Sequence, residues 1–313
     1  MTQFALSTIF SIRYRLLRYA PTNILLIRTH GRHGLRWFLL AVGGGRVVYR
    51  RFGPLAGVLA FALLWAGLDF LASFGRTGGA VMTPSAPQID APIVVQTASL
   101  VGFCGVTFLL GAVNASLAAA WRERRPAFVL AAVCLLAGNT VFGAWRMSKP
   151  GSGTLRVALI ASNDVVGDLR HEDEAKTRAA IDTYAAQLDR LGEPPPALIV
   201  LPENIARVAP TWRDAALAPF AAASRHANAT IVAGFNTSVD GAQRNVSWAF
   251  VQGAPPVVYA KRHLVRGLET PTYTPGDGAR VLTNGIGLEI CKDMDHPRMV
   301  RADAASLQPA VLA

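Results

Sequence analysis

At 313 residues the chain has room for two domains, and 51% apolar residues with a mean hydropathy of +0.31 exceed what a purely water-soluble protein carries. The formal charge of +11 sits in one half: residues 1–149 hold 15 Lys/Arg against 3 Asp/Glu, and the remainder is close to neutral. Positive charge beside apolar runs marks membrane orientation and argues against a nucleic-acid partner, while Cys104, Cys134 and Cys291 show neither zinc spacing nor a disulfide framework.

In chain order, residues 1–52 form a basic segment, with nine arginines and no acid up to residue 51, expected in the cytoplasm or at the interface. Met1–Ile12 lacks the charged start of a cleaved secretory signal. Trp37–Tyr49 is apolar but short and carries Arg46, which suits a poor span or an interfacial helix. Residues 53–146 then read as transmembrane. Gly53–Phe74 is long enough to cross about 30 Å of hydrocarbon. Asp69 within it is costly in lipid and should face protein or the interface. Pro92–Ala120 is a second span, with Gln96, Asn114 and small residues suited to close packing, and Ala127–Trp145 is a third. Arginines precede the first span, and Arg122-Glu-Arg-Arg125 separates the second from the third. The positive-inside rule therefore places 1–52 and 122–126 in the cytoplasm and everything after 146 outside, with Arg146 and Lys149 pulling mildly the other way.

Pro150-Gly-Ser-Gly153 reads as a linker to an α/β domain over 154–313. Leu155–Ala161 and Ala197–Leu201 are apolar strands on either side of a helical pattern at Glu172–Leu191. Trp212–Ala227 is a second helix. Thr230–Phe235, Ser247–Val251, Val257–Tyr259 and Val281–Ile290 are further strands, with turns at Asp240-Gly241 and Gly253 to Pro256. Helices early and hairpins later predict a mixed sheet with helices on its faces.

Three of the apolar runs end in a reactive group. Ala197-Leu-Ile-Val-Leu-Pro-Glu203 delivers a carboxylate, Val257-Val-Tyr-Ala-Lys261 an amine, and Gly285-Ile-Gly-Leu-Glu-Ile-Cys291 a thiol. Strand ends face the crevice where open α/β sheets do their chemistry. A thiol is largely protonated at neutral pH and needs activation. Lys261 would favour the thiolate and then stabilise an oxyanion, with the backbone N–H of Lys292 as second donor. Glu203 would take the thiol proton and later activate water or an amine. Taken singly, each has an ordinary reading: a core cysteine, a solvated loop glutamate, a surface lysine.

The order of the motifs changes that reading. Leu201-Pro-Glu203, then Tyr259-Ala-Lys-Arg-His-Leu-Val265 with Glu269, then Ile290-Cys-Lys-Asp293 and Pro297 resemble the nitrilase, or carbon–nitrogen hydrolase, superfamily over roughly residues 155–300. The resemblance implies a four-layer α-β-β-α sandwich, with Glu203 as general base, Lys261 stabilising the intermediate and Cys291 as nucleophile. Gln96–Leu110 with Asn114-Ala115, and Trp65-Ala-Gly-Leu-Asp-Phe70, look like late transmembrane helices of apolipoprotein N-acyltransferases. Those enzymes move an acyl chain from phospholipid through a cysteine thioester to a lipoprotein's N-terminal amine, in a periplasmic domain of a bacterial inner-membrane protein. By the same resemblance Glu269 matches their second essential glutamate, and neither cofactor nor metal is implied.

The pattern also departs from that family. Arg266-Gly-Leu268 stands where the family writes Pro-Phe-Gly, and Cys291-Lys-Asp293 where the acyltransferases write Cys-Tyr-Glu, with Asp nearer the soluble amidases. No tryptophan lies near Asn163–His171, and 30 positions between Lys261 and Cys291 leave no room for the family's arm over the site. Only 22 residues follow Cys291, and Met299–Ala313 shows no obvious strand, so the domain is expected to lack C-terminal elements and to expose an edge. Three functions fit: an acyl-thioester transferase using membrane lipid and a lipoprotein, an extracytoplasmic amidase acting on a small amide, or an inactive truncated membrane protein.

Overall fold

The computed structural model describes residues 23–74, 79, 83–149, 153–162, 174–192, 194–252 and 254–313, the side chains of 23–34 excepted. The readings of Met1–Ile12, of 150–152 in the linker and of 163–171 lie outside these residues. The chain forms two compact units, Met1–Pro150 and Gly151–Ala313.

The first unit is helical. Trp37–Tyr49, expected as a short segment, lies inside a 30-residue helix, α1 (Asn23–Phe52). A one-residue break at Gly53, whose φ of 90° suits glycine, turns it into α2 (Pro54–Ser73). The two helices form an antiparallel hairpin, because contacts run in reverse order: Tyr49 lies against Gly57, Gly45 against Phe61 and Gly44 against Leu64. Helices α3 (Phe103–Glu123) and α4 (Pro126–Met147) complete the unit. Three of the four, α2, α3 and α4, are long and apolar enough to cross a membrane.

The span expected over Pro92–Ala120 is not one helix. Short helices at Pro92–Val95 and Ala98–Val101 precede α3, and Gly102 breaks the chain with φ 68° and ψ −168°. Polar side chains hold this broken stretch: Asn139 Nδ2 donates to the Val94 carbonyl at 2.9 Å, and Thr97 bonds Asn139. Asp69 faces protein, accepting from Thr107 Oγ1 at 2.7 Å.

Packing in this unit places small residues inside. Gly57, Val58, Ala62 and Ala66 of α2 are buried, while Leu55, Leu59, Leu63 and Leu71 are exposed. That inverts the rule for water-soluble proteins and matches helices that approach closely through small residues and turn leucines to lipid.

The second unit is mixed α/β. Strands β1 (Val157–Leu159), β2 (Leu198–Val200), β4 (Thr230–Val239), β5 (Ala242–Phe250) and β6 (Val257–Ala260) lie in that order, parallel through β4 and antiparallel after it. Strand β3 (Ala206–Val208) pairs parallel with the far half of β4. The β4–β5 turn is Asp240-Gly241, as expected, both at positive φ in the mirror-image turn that suits strand twist.

Side-chain alternation sorts the sheet's two faces. Ile199, Ile231 and Ala233 join Ile181 and Tyr184 of α5 (Glu174–Leu188) and Phe220 of α6 (Arg213–Ala227). Leu198, Val232, Ala249 and Tyr259 pack instead against Leu282, Ile286 and Leu288. Ile286 and Leu288 belong to, and Leu282 directly follows a strand of, a second sheet of β7 (Arg280–Val281), β8 (Ile286–Leu288) and β9 (Val311–Leu312).

Two expectations change here. The strand read over Val281–Ile290 is a hairpin, because Gly285 adopts φ 80° and β7 folds back on β8. The stretch after Met299, read as lacking a strand, follows α7 (Pro297–Leu307) with β9, which pairs parallel to β8 through Ile286 and Gly287. The result is an α-β-β stack; α7 buries none of its residues, so the fourth layer of the expected sandwich is not formed as a packed layer.

Candidate active site

Glu203 stands in the loop between β2 and β3, which is laced to β4 on both sides: Leu201 N–H donates to Val232 O at 2.8 Å and Ile205 N–H to Gly234 O at 2.9 Å. Gly234 permits this approach. A Cβ there would lie 2.6 Å from Glu203 Cα and from the Pro202 carbonyl oxygen. Lys261 follows β6 directly, its N–H donating to Asn245 O and its carbonyl accepting from Gly276 N–H. Its side chain is only 1% exposed. Glu269 closes a turn in which Val265 N–H donates to its Oε2 at 2.7 Å.

These segments converge on one ammonium. Lys261 Nζ donates to Glu203 Oε1 at 2.8 Å and to Glu269 Oε1 at 2.9 Å. Asn245 Nδ2, on β5, donates to the same two oxygens at 2.6 and 2.9 Å. Cys291 stands near enough to Glu203, Lys261 and Glu269 for their charges to act on its thiol. Glu203, Lys261 and Glu269 thus form one hydrogen-bonded group with Asn245, and Cys291, 88 residues after Glu203 in sequence, stands beside it. Asn245 was not singled out by its sequence; the available signal was an amide in a strand otherwise rich in buried apolar residues.

Electrostatics distinguish the members. Burial is the largest influence on Lys261 and pushes its pKa down, but the two carboxylates outweigh it, so the ammonium is held above its ordinary range. Burial also raises the Cys291 thiol, Glu203 raises it further, and Lys261 opposes both without prevailing. Lys261 pulls toward the thiolate, as expected, but one ammonium shared by two carboxylates does not offset desolvation. With its pKa raised, the thiol is largely protonated near neutral pH.

Cys291 occupies a strained turn. Its φ is 45°, a region costly for a residue with a Cβ, and it opens a short 3-10 turn, Cys291–Asp295, that leaves the residue exposed. Asp293 holds the turn. Fully buried, it accepts from the N–H groups of His263 at 2.7 Å and Arg262 at 3.2 Å, and from Tyr259 Oη at 2.7 Å. It also accepts from the N–H of Ile290 at 3.3 Å. One carboxylate thereby ties the segment after Lys261 to the segment bearing Cys291. Read from sequence, Asp293 distinguishes amidases from acyltransferases; in the structure it is a brace, with no exposed surface for a substrate. Beside it Arg262 Nη2 pairs with Glu289 at 3.0 Å and with Asp303 of α7, fastening α7 to the same segment. Among the described residues no cluster suits a metal ion.

Residues 22–116 match the family model of the apolipoprotein N-acyltransferase N-terminal domain. A search of curated proteins finds no match. Similar solved structures include a CN-hydrolase superfamily protein from Xanthomonas campestris with an arsenic adduct in its active site (23% identity, TM-score 0.37, covering 46% of this chain and 56% of that one). Others are a carbon–nitrogen hydrolase from Helicobacter pylori (21%, TM-score 0.39, 47% and 55%) and a mutant Nesterenkonia amidase from the nitrilase superfamily (22%, TM-score 0.38, 50% and 63%). The chain thus spans little more than half of the first two and under two thirds of the third. The match of residues 22–116 agrees with the resemblance of Trp65–Phe70 and of Gln96–Ala115 to apolipoprotein N-acyltransferases.

Proposed function

We propose that this chain is a membrane-anchored acyl-thioester enzyme resembling apolipoprotein N-acyltransferase, with Cys291 as nucleophile, Glu203 as general base, and Lys261 and Glu269 completing the charged site. The observation that carries the reading is a buried ammonium held by two carboxylates, Glu203 and Glu269, with the Cys291 thiol within reach of their charge. As the sulfur attacks a phospholipid ester carbonyl, its proton passes to Glu203. The oxyanion that develops is met by the Lys261 ammonium and the Lys292 N–H. When the intermediate collapses, the ester C–O bond breaks and the departing alkoxide takes the proton from Glu203. In the second half an amine attacks the thioester, Glu203 accepts its proton, and the sulfur leaves and is reprotonated. Glu269 shares the ammonium throughout, which keeps it charged while Glu203 changes protonation.

The first unit supplies the anchor in the bacterial inner membrane. Its leucine-covered surface supports insertion, and its charge supports the orientation. The α1–α2 turn and the α3–α4 turn, rich in arginine, lie at one end of the bundle, as the Tyr49–Glu123 hydrogen bond requires, and α4 ends at the other. With the arginines of these two turns in the cytoplasm, the second unit begins on the periplasmic side. The proposed partners are a membrane lipid as acyl donor and a lipoprotein as acceptor.

The experiment is incubation of the full chain with labelled phospholipid, followed by detection of a hydroxylamine-sensitive adduct. Wild type acquires the label and Cys291→Ala does not; a label that persists in Cys291→Ala refutes the nucleophile. A second reading, hydrolysis of a small amide, is favoured by the exposure of Cys291, which admits water. Turnover of small amides without transfer to a lipopeptide selects it.

A further inference from the structure

At the arginine-bearing end of the first unit, α1, α2 and α3 enclose a cavity of about 260 Å³ that the proposed chemistry does not use. Its making is visible in the packing. A Cβ at Gly57 would meet Tyr49 Cβ at 2.5 Å, and one at Gly45 would meet Phe61 Cβ at 2.8 Å. The hairpin is therefore clamped at these two glycines, and beside the clamp α3 presents three alanines, Ala115, Ala118 and Ala119. The floor is apolar. The rim is not: Arg46 and Arg50, one helical turn apart on α1, and Arg122 on α3 all line the cavity. All three are exposed.

No carboxylate lines the cavity, and the acid beside it is already engaged: Glu123 accepts from Tyr49 Oη and stands 3.7 Å from Arg122 Nε. Arg122 lies over the Tyr49 ring, 5.5 Å from its centre, which holds its guanidinium on the rim. Arg46, six residues inside the end of α1, has the most to gain from an anion, since an unpaired cation at membrane depth is costly.

Three guanidiniums over an apolar floor are complementary to a phosphodiester joined to an alkyl chain, because guanidinium binds phosphate oxygens bidentately and the chain covers the alanines. We propose that this cavity binds one anionic phospholipid, its phosphate held by Arg46, Arg50 and Arg122 and part of an acyl chain lying in the groove. The site rests on the membrane reading given above. It shares no residue with the proposed acyl-transfer site, whose residues all belong to the second unit. Such a lipid would fasten the clamped hairpin to α3 in the arginine-side leaflet.

The test is native mass spectrometry of the full chain released from vesicles of phosphatidylglycerol, of phosphatidylcholine, or of phosphatidylcholine with inorganic phosphate. Retention of one phosphatidylglycerol is expected in preference to phosphatidylcholine, on the order of a hundredfold for three cations at a lipid surface. Combined Arg46→Gln, Arg50→Gln and Arg122→Gln removes the preference. Ala118→Phe, at an exposed position on the cavity wall, removes retention with every arginine in place, and it decides the matter if the triple variant does not fold. Equal retention of the two lipids, retention undiminished in Ala118→Phe, or displacement of phosphatidylglycerol by inorganic phosphate overturns the proposal. Retention that persists in Cys291→Ala, with no acyl adduct formed by wild type, supports this site while refuting the proposed chemistry.

Discussion

The two units solve the same packing problem with opposite materials. In the second, Phe220, Phe235, Ile231 and Tyr184 are fully buried. In the first, the buried positions of α2 are glycine, alanine and valine with Asp69, and the large apolar side chains face outward. Where water is excluded anyway, burying a leucine gains little, so contact distance decides the packing. Where water surrounds the protein, buried apolar area decides it. The same volume change should therefore have opposite consequences in the two halves.

The largest effects test that contrast. Phe220→Ala, which empties the place between Phe235 and Phe250, is expected to lower the stability of the second unit by about 3–5 kcal/mol in chemical denaturation. In the first unit the damaging change goes the other way: Gly57→Leu should drive α1 and α2 apart, read as lost helix–helix cross-linking between cysteines introduced on the pair. Comparable in size is Lys261→Ala, which strands Glu203 and Glu269 without their ammonium, at a cost of about 3–5 kcal/mol. The sign of its pH dependence follows from the raised pKa. Stability supplied by the charged lysine is complete below the ordinary value of 10.5 and is lost as pH rises through the higher folded value.

A smaller effect concerns the thiol. Alkylation of Cys291 by iodoacetamide is expected to show a midpoint above 9.0, and Glu203→Gln should move it downward, because the opposing carboxylate charge goes while Lys261 remains. A midpoint unmoved by Glu203→Gln would separate the two groups. The smallest effect returns to the first unit: Leu63→Ala, on its exposed face, should change bundle stability by less than about 0.5 kcal/mol, where a core leucine would cost several times more. A large loss there would mean that the leucine-covered face packs against something.

Much of this organisation was legible before any fold was known. Hydropathy set α2 and α4 within a residue or two, since the length of an apolar run is a local property. Asp69 announced an internal partner, because an exposed carboxylate within a span is too costly, and Thr107 is that partner. What misled were places where backbone conformation overrides hydropathy. Gly102 breaks an apolar run that reads as one span, and Gly285 folds an apolar run that reads as one strand. Both use positive φ, which composition does not reveal.

The residue types with reactive ends, and their order along the chain, were present in the amino-acid string alone: Glu203, Lys261 and Cys291 each close an apolar run, and local pattern suffices to show that. Which of them pair, and how neighbouring charge acts on Lys261 and Cys291, only the assembled sheet decided. Asn245 and Glu269 join the group because β5 and the turn after β6 carry them there, and the protonated Cys291 thiol follows from desolvation and summed charge across segments that meet only in three dimensions. Asp293 makes the same point: beside the cysteine in sequence it reads as a feature nearer the amidases, and only its four partners reveal a brace.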